Sequence, residues 1–213
     1  NLTWEGITDL GLEHLARIPS LRSLEIGSNA HRMTVSGINA LNKLTELQHL
    51  DVHYVSQDNG VLELGALQKL EHLSVLIRNP NSRGPQRDIR DADLVSIGKL
   101  DRLTNLWIGN SPHLSDEGLA PLANLTRLER LGVGGKNVGD KGLGYVSELS
   151  SLYQLTIIGD FSDRGLRQLD ALGKLRYLTI QSKRGLSAAS EQRIRQNLPN
   201  LFSMNAQPMG AGI

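Results

Sequence analysis

The pattern L-x-x-L-x-[IV] occurs seven times along the 213 residues of the chain, and it constrains the fold more than any other feature. The intervals between the second leucines of successive copies are 26, 23, 33, 25, 24 and 23 residues. A repeated interval of this length indicates a repeat protein, in which each unit packs only against its neighbours. The copies are LRSLEI (21–26), LQHLDV (47–52), LEHLSV (70–75), LTNLWI (103–108), LERLGV (128–133), LYQLTI (152–157) and LRYLTI (175–180).

A second block precedes each copy and completes the repeat. Its clearest examples are LSDEGLAPLANL (114–125), VGDKGLGYVSEL (138–149) and FSDRGLRQLDAL (161–172). The alternation in L-x-[IV] predicts a short strand with one buried face, and the apolar spacing in D-x-G-L-x-x-L predicts a helix. Ser115, Ser162 and either Thr8 or Thr34 are placed to cap these helices. Because one strand and one short helix cannot enclose a core, the units must stack.

A glycine recurs at one position of this block, and Asp93 replaces it in the fourth unit. Glycine costs about 1 kcal/mol relative to alanine inside a helix, so its repeated use indicates a shared backbone requirement. We expect each helix start to approach the neighbouring unit closely at this position. The residues are Gly11, Gly37, Gly60, Gly118, Gly142 and Gly165.

These blocks resemble the leucine-rich repeat family over about residues 2–201. The I-T-D-x-G-L-x-x-L form is most similar to the cysteine-containing and ribonuclease-inhibitor-like subclasses and to repeats of bacterial surface proteins. The resemblance implies an α/β fold, a right-handed solenoid with parallel strands on the concave face and helices on the convex face. A fold of this kind serves many functions, so the function must be argued from its surface.

We expect one solenoid domain over residues 1–213. Residues 1–6 contain a partial or capping strand, the repeats occupy 7–185, and a capping unit spans 186–204 before a frayed tail at 205–213. The longest interval contains an insertion at 78–88, rich in Pro, Gly and Arg. It is either a tolerated surface loop or a contact loop that reaches over the strand face.

Composition excludes several classes of function. With 23 Lys and Arg against 22 Asp and Glu, the chain lacks the basic surplus of a nucleic-acid binder. The absence of cysteine excludes disulfides, thiolate metal sites and a cysteine nucleophile. No apolar run is long enough to span a membrane. The chain also lacks the sequence motifs of serine hydrolases, zinc proteases and phosphate-binding loops, so we expect no enzymatic activity and no cofactor.

The strand residues that flank the buried pair of L-x-[IV] should form the recognition surface. Trp107 is the most conspicuous, because Gly109, Gly132 and Gly134 are its expected neighbours. Either its ring contacts a ligand, as aromatic residues at binding hot spots do, or it fills the hollow above the glycines. The full set of candidate ligand-binding residues is Trp107, Arg130, Tyr177, His72, Asp51, His49, Glu25 and Asn105.

A group of histidines raises the question of a metal. His49, Asp51 and His53 alternate along one strand, and His72 should lie beside His49. Imidazole and carboxylate groups are ligands that suit zinc. Successive residues on one strand face are nevertheless about 6.8 Å apart, and polar residues are ordinary on such a face. The sequence therefore predicts no metal site.

The function expected from these patterns is binding of a protein partner through the concave face. A carbohydrate or cell-surface-binding module and a structural spacer in a larger protein are the alternatives. We expect a monomer or weak dimer. The N-terminus lacks an initiator Met and a signal sequence, which is typical of a processed chain or an excised domain. The compartment stays open, with an extracytoplasmic or secreted location as one option.

The register of the repeats makes a prediction about stability. Replacing Leu131 or Leu155 with Ala should lower the free energy of unfolding by about 2–5 kcal/mol, because both should be central core residues. Replacing Arg83 or Arg87 in the insertion should cost almost nothing. Thermal or denaturant unfolding of the four variants checks this, and equal losses in the two pairs would contradict the register.

Overall fold

A parallel sheet of eight strands forms one side of the protein in the computed structural model, and the strands pair in the order in which they occur along the chain. The residues that the structure describes are 7–30, 33–54, 60–76 and 89–209. The strands are β1 (Ser23–Ala30), β2 (His49–Tyr54), β3 (His72–Leu76), β4 (Asn105–Asn110), β5 (Arg130–Gly134), β6 (Gln154–Gly159), β7 (Tyr177–Ser182) and β8 (Ser203–Pro208). Helical segments separate most of these strands, which agrees with the α/β solenoid of parallel strands and helices that the sequence predicts.

The strand register agrees with the alignment of the repeats. Leu131 pairs with Leu106 on one side and with Leu155 on the other, and all three are buried. The second leucine of each of the remaining repeats is buried in the same row. These leucines belong to one hydrophobic core that continues through all the units. The core therefore consists of the same few aliphatic positions repeated from unit to unit. Arg83 and Arg87 lie outside the described residues.

The helical segments are shorter and more varied than the sequence pattern predicts. Residues 60–71 of the third unit form turns rather than a helix, so the prediction of a helical block is wrong for this described part. In the fifth unit the α-helix gives way to a 3₁₀-helix at Ala120, and Pro121 has no N–H to donate to the carbonyl of Glu117. The second unit makes the same change at Ala40 without a proline, so proline is not required for it. The α-helices are α1 (Asp9–Leu15), α2 (Val35–Asn39), α3 (Asp91–Ile97), α4 (Asp116–Leu119), α5 (Asp140–Ser147) and α6 (Ala188–Asn197), and the 3₁₀-helices are Ala40–Lys43, Ala120–Asn124 and Gly165–Ala171.

Aspartates at the helix starts connect successive units through a series of hydrogen bonds, which we call the carboxylate ladder. Each carboxylate accepts hydrogen bonds from the start of the helical segment in the next unit rather than capping only its own helix. Asp9 accepts from Thr34, Asp91 from Ser115, Asp116 from Gly139 and Gly142, Asp140 from Ser162, and Asp163 from Ser187 and Ser190.

The contact between Asp140 and the seventh unit shows how one step of the ladder works. Asp140 Oδ1 accepts the backbone N–H of Ser162 at 2.8 Å, and Oδ2 accepts the Ser162 hydroxyl. Ser162 Oγ in turn accepts the N–H of Gly165 at 3.1 Å. Two backbone donors that would lack partners at the helix start are thereby satisfied. Thr34 and Ser115 accept in the same way, whereas Thr8 makes no capping hydrogen bond with its side chain.

The recurrent glycine makes room for this carboxylate. A Cβ atom at Gly165 would overlap the carboxylate of Asp140, and Gly37 and Gly118 are related in the same way to Asp9 and Asp91. The predicted close approach between units is confirmed at these positions. The partner is the aspartate of the preceding unit, which the sequence pattern did not identify.

Two units that lack the glycine place a polar side chain there. Asp93 is fully buried, and its Oδ1 accepts the N–H of Leu62 in the third unit at 2.8 Å. Its Oδ2 accepts the N–H of Arg90 at 2.9 Å. Ser190 occupies the position in the capping unit and donates its hydroxyl to Asp163 at 2.7 Å. The side chains of Asp93 and Ser190 thus each make a hydrogen bond to the preceding unit from the position that glycine occupies in the other units.

The C-terminal end is more ordered than the sequence predicts. The segment L-x-x-M-x-A at 201–206 is an eighth, degenerate copy of the pattern, in which Met204 pairs with Leu178 and Ala206 with Ile180. Strand β8 therefore continues the sheet to Pro208, and the prediction of a frayed tail is wrong for residues 205–208. The expected strand at 1–6, the insertion at 78–88 and the end of the tail at 210–213 lie outside the described residues.

The glycine of the ladder allows a test in which two similar substitutions have opposite effects. Gly165→Ala should lower the free energy of unfolding by about 1–3 kcal/mol, because the added methyl group displaces the Asp140 carboxylate. Gly173→Ala, where the added Cβ meets nothing within 4 Å, should be neutral or stabilising by up to about 1 kcal/mol. Urea denaturation measures both values. Similar stability of the two variants would contradict the proposed role of the glycine.

Candidate functional site

Two rows of side chains run across the solvent-facing side of the sheet, and they contain all the candidate ligand-binding residues. Backbone pairing places neighbours within each row side by side, as the alignment predicts. The first row is Ser23, His49, His72, Asn105, Arg130, Gln154 and Tyr177, and the second is Glu25, Asp51, Ser74, Trp107, Gly132, Thr156 and Thr179. These rows bring the candidates to one face, but into separate groups.

Trp107 is half-buried and lies against the neighbouring strand. A Cβ atom at Gly132 would overlap the six-membered part of the indole, so the ring occupies the space that this glycine leaves. The surroundings differ from the prediction in one respect, because a register shift pairs Gly109 with Val133 instead of Gly134. Gly109 and Gly134 both have positive φ, 72° and 141°, which explains glycine at these bends.

Basic and aromatic residues line an open groove of about 890 Å³ beside the starts of strands β5 to β8. We call this the basic aromatic groove. Four of its residues are cationic and one is acidic, so it carries a local positive charge in a chain whose net charge is only +1. Its lining residues are Thr104, Arg127, Glu129, Arg130, Ser151, Tyr153, Gln154, Lys174, Arg176, Tyr177 and Asn200.

Arg130 is held in the groove by an aromatic ring. Its guanidinium carbon lies 5.1 Å from the centroid of Tyr153, and its Nε–H donates a hydrogen bond to the Tyr153 hydroxyl. A cation above an aromatic face is attracted by the negative charge of the π-system. The contact orients Arg130 before any ligand arrives, which reduces the entropy lost on binding.

An aromatic pair lies two strands from Arg130 in the direction of the C-terminus. Tyr177 and Phe202 make an edge-to-face contact, with ring centroids 5.9 Å apart and an interplanar angle of 65°. Phe202 is 81% exposed and Tyr177 is 43% exposed. An apolar ring as exposed as Phe202 gains free energy when another surface covers it.

The histidine cluster occupies the other end of the same face. The rings of His49 and His72 stack with centroids 4.1 Å apart and an interplanar angle of 7°. The ligand atoms of His49, Asp51 and His72 all lie within 4.8 Å of one another. The expected divergence of residues two apart on a strand is therefore wrong here, because the ligand atoms of His49, Asp51 and His72 converge although the Cα atoms do not. His53 Nε2 lies 3.0 Å from Asp51 Oδ1.

The surroundings of His72 favour its neutral form. Burial lowers the pKa of His72 below its usual value, and the neighbouring His49 and Arg130 lower it further, while Asp51 opposes them. Glu25 pairs with Asp51 on the far side, and Asn105 lies between His72 and Arg130. Asn105 thus separates the histidine cluster from the basic aromatic groove.

Several residues in and beside the groove are not among the predicted ligand-binding residues, because they lie outside the alternating positions of the strands. Tyr153 and Arg176 line the groove and immediately precede Gln154 and Tyr177 of the first row, at the second position of L-x-x-L. Phe202 takes the same position before strand β8, in the degenerate copy L-x-x-M. The backbone carbonyls at this position accept hydrogen bonds from the next unit, as Tyr153 does from the N–H groups of Arg176 and Tyr177. Backbone pairing thus stacks these residues into a third row, which the same alignment of repeats would have identified.

The sheet, the repeated helical segments and the rows of variable residues define a repeat solenoid with one polar strand face. The sequence profile described as "Leucine-rich repeat region" matches residues 30–204, and the chain belongs to the leucine-rich repeat family. Curated protein sequences contain no significant match. In the described part of the chain, no helix combines the length and the apolar character needed to cross a membrane.

Two solved structures have a similar fold. An internalin from Listeria monocytogenes superposes with a TM-score of 0.66 at 22% sequence identity, covering 97% of this chain and 61% of its own. A leucine-rich-repeat protein from Leptospira interrogans gives a TM-score of 0.53 at 16% identity, covering 94% of this chain and 52% of its own. The chain therefore spans less than two thirds of each of these proteins, and the likeness concerns the fold.

The contact between Trp107 and Gly132 predicts a change in solvent access. In a Trp4→Phe background, which leaves Trp107 as the remaining indole, Gly132→Ala should push the ring outward. Iodide quenching of its fluorescence should increase and its emission should shift to longer wavelength. Gly27→Ala, whose Cβ meets nothing within 4 Å, is the matched control. Equal quenching in the two variants would show that the ring does not rest on Gly132.

Proposed function

We propose that the chain is a non-catalytic protein-binding module and that its basic aromatic groove contacts an acidic surface of the partner. The observation that supports this most directly is the exposed pair of Tyr177 and Phe202 beside an arginine already oriented by Tyr153. Tyrosine and arginine are among the residues that contribute most to protein interfaces. Membership of the leucine-rich repeat family supports a binding function but does not identify the partner.

The charge of the groove supports an acidic partner. Arg127, Arg130, Lys174 and Arg176 line it, and among the described residues Glu129 is the only acidic one that does. A cluster of like charge on a nearly neutral protein attracts a surface of opposite charge and speeds association. Binding should therefore weaken as the salt concentration rises, mainly through slower association.

The apolar part of the contact should come from the aromatic residues. Partner atoms that cover Phe202 and Tyr177 would remove exposed apolar surface from water. Trp107 lies further from the groove and is partly used in covering Gly132. We therefore place Arg130, Tyr177 and Phe202 before Trp107 in their contribution to binding, although Trp107 is the most conspicuous candidate in the sequence.

The carboxylates of the ladder support a non-catalytic assignment. Asp9, Asp91, Asp116 and Asp140 each accept hydrogen bonds from the next unit. A carboxylate engaged in this way is suited to joining units rather than to transferring protons.

Charge reversal within and outside the groove tests the proposal. A partner captured from the native source should bind the Arg130→Glu variant at least tenfold more weakly, and Tyr177→Ala or Phe202→Ala should each cost about 2 kcal/mol. Lys99→Glu makes the same charge change at an exposed residue after α3 and should bind normally. Surface plasmon resonance at two salt concentrations measures affinity and association rate.

Other outcomes would identify the alternatives. Loss of binding in Lys99→Glu with normal binding in Arg130→Glu would contradict the groove as the contact. A glycan-array signal that Tyr177→Ala abolishes, without a captured protein, would favour a carbohydrate-binding module. A surface that binds neither would favour a structural spacer.

A further inference from the structure

The geometry points to a binding site for a divalent transition metal, of the zinc class, formed by His49, Asp51 and His72 on strands β2 and β3. None of these residues lines the basic aromatic groove. The inference therefore does not depend on the proposed protein contact. It differs from the expectation based on sequence, and the reason is the observed convergence of the three side chains.

The backbone holds the three ligands in fixed relation. Residues 49 and 72 are direct partners in the parallel ladder, and Asp51 is two residues further along the same face. Their ligand atoms already lie within 4.8 Å of one another. With metal–ligand bonds of about 2.0–2.1 Å, a tetrahedral zinc ion needs ligand atoms roughly 3.3 Å apart. The rings of His49 and His72 are stacked face to face, so binding requires them to rotate until a nitrogen of each points at the ion. Both side chains are only half-buried, so this rotation needs a change of rotamer and no movement of the strands.

Asp51 provides an independent reason to expect a cation. Its Oδ1 atom is shielded from solvent and has no hydrogen-bond partner among the described residues, although His53 Nε2 lies 3.0 Å away. A shielded carboxylate oxygen whose neighbour among the described residues is an imidazole nitrogen regains little of the hydration it loses unless a positive charge lies nearby. A metal ion at this point would supply the missing positive charge.

The donor set selects the class of metal. Two imidazoles and one carboxylate are typical ligands for Zn²⁺ and for Co²⁺, Ni²⁺ or Cu²⁺ in the same position. Ca²⁺ and Mg²⁺ prefer oxygen ligands throughout and would not select two histidines. Three protein ligands leave one position of a tetrahedral site for water or for a side chain of a bound partner. His53 is not one of the three ligands, but its Nε2 atom lies beside Asp51 Oδ1 and is placed to orient this carboxylate.

The direct test is metal titration of the protein after treatment with a chelator. Isothermal titration calorimetry with ZnCl₂ should give saturable binding of one equivalent, and CoCl₂ should produce visible absorption bands of low-symmetry Co²⁺. The Tm of the protein should rise with added zinc, because the ion binds only the folded arrangement. Absence of saturable binding by the unmodified protein would overturn the inference.

Single substitutions localise the site. His72→Ala and Asp51→Asn should each weaken zinc binding by at least about tenfold, and His53→Ala should weaken it less. His14→Ala removes an exposed imidazole on α1 and is the matched control, which should bind zinc normally. Circular dichroism of the metal-free variants confirms that they fold, and His49→Gln replaces His72→Ala if that variant does not. Unchanged affinity in His72→Ala or His49→Gln, or an equal loss in His14→Ala, would contradict this site.

Discussion

Each unit in the described part of this protein depends on its neighbours to bury its leucines, and at several junctions the carboxylate ladder also joins the start of one helical segment to the next. Leu131 is buried because Leu106 and Leu155 lie beside it in the sheet. On the other side of the molecule, Asp140 accepts hydrogen bonds from Ser162 in the next unit. The packing of the leucines is apolar and has no required direction, whereas the hydrogen bonds of Asp140 have defined donors and acceptors. Together they make stacking both favourable and specific, so the sheet extends one strand at a time from β1 to β8.

The difference between the leucine contacts and the carboxylate hydrogen bonds explains how much of the fold the sequence predicts. The pairing of strands follows from the leucine pattern, because a shift of one residue would expose the buried face. The glycine position predicted a close approach, but the identity of the contacting Asp is a relation between units that no single repeat displays. The type of helix was not predictable in the same way: Pro121 accompanies the 3₁₀ segment of the fifth unit, but the 3₁₀ segments of the second and seventh units contain no proline. Strand β8 was missed because Met204 and Ala206 replace the expected Leu and Ile.

The candidate site was predictable in its positions but not in its contacts. Alternation within strands identified His49, Asp51 and Arg130 as residues of one face, and the pairing agrees. Whether side chains on such a face converge or diverge depends on rotamers, which the sequence does not specify. The stacked rings of His49 and His72 and the packing of Arg130 against Tyr153 are both of this kind. In the case of Tyr153 the position itself was missed, because it lies before the strand rather than within it.

Since stability comes from the leucines and the ladder, the residues of the strand face are free to serve binding. The two clusters on this face share no residues, and Asn105 separates His72 from Arg130. With neighbouring strands about 4.8 Å apart, His72 on β3 and Tyr177 on β7 are held roughly 19 Å apart by the sheet. A change in one cluster should therefore alter its own ligand without moving the other. A single partner that reached both would have to span this distance, which is well within the extent of an ordinary protein interface.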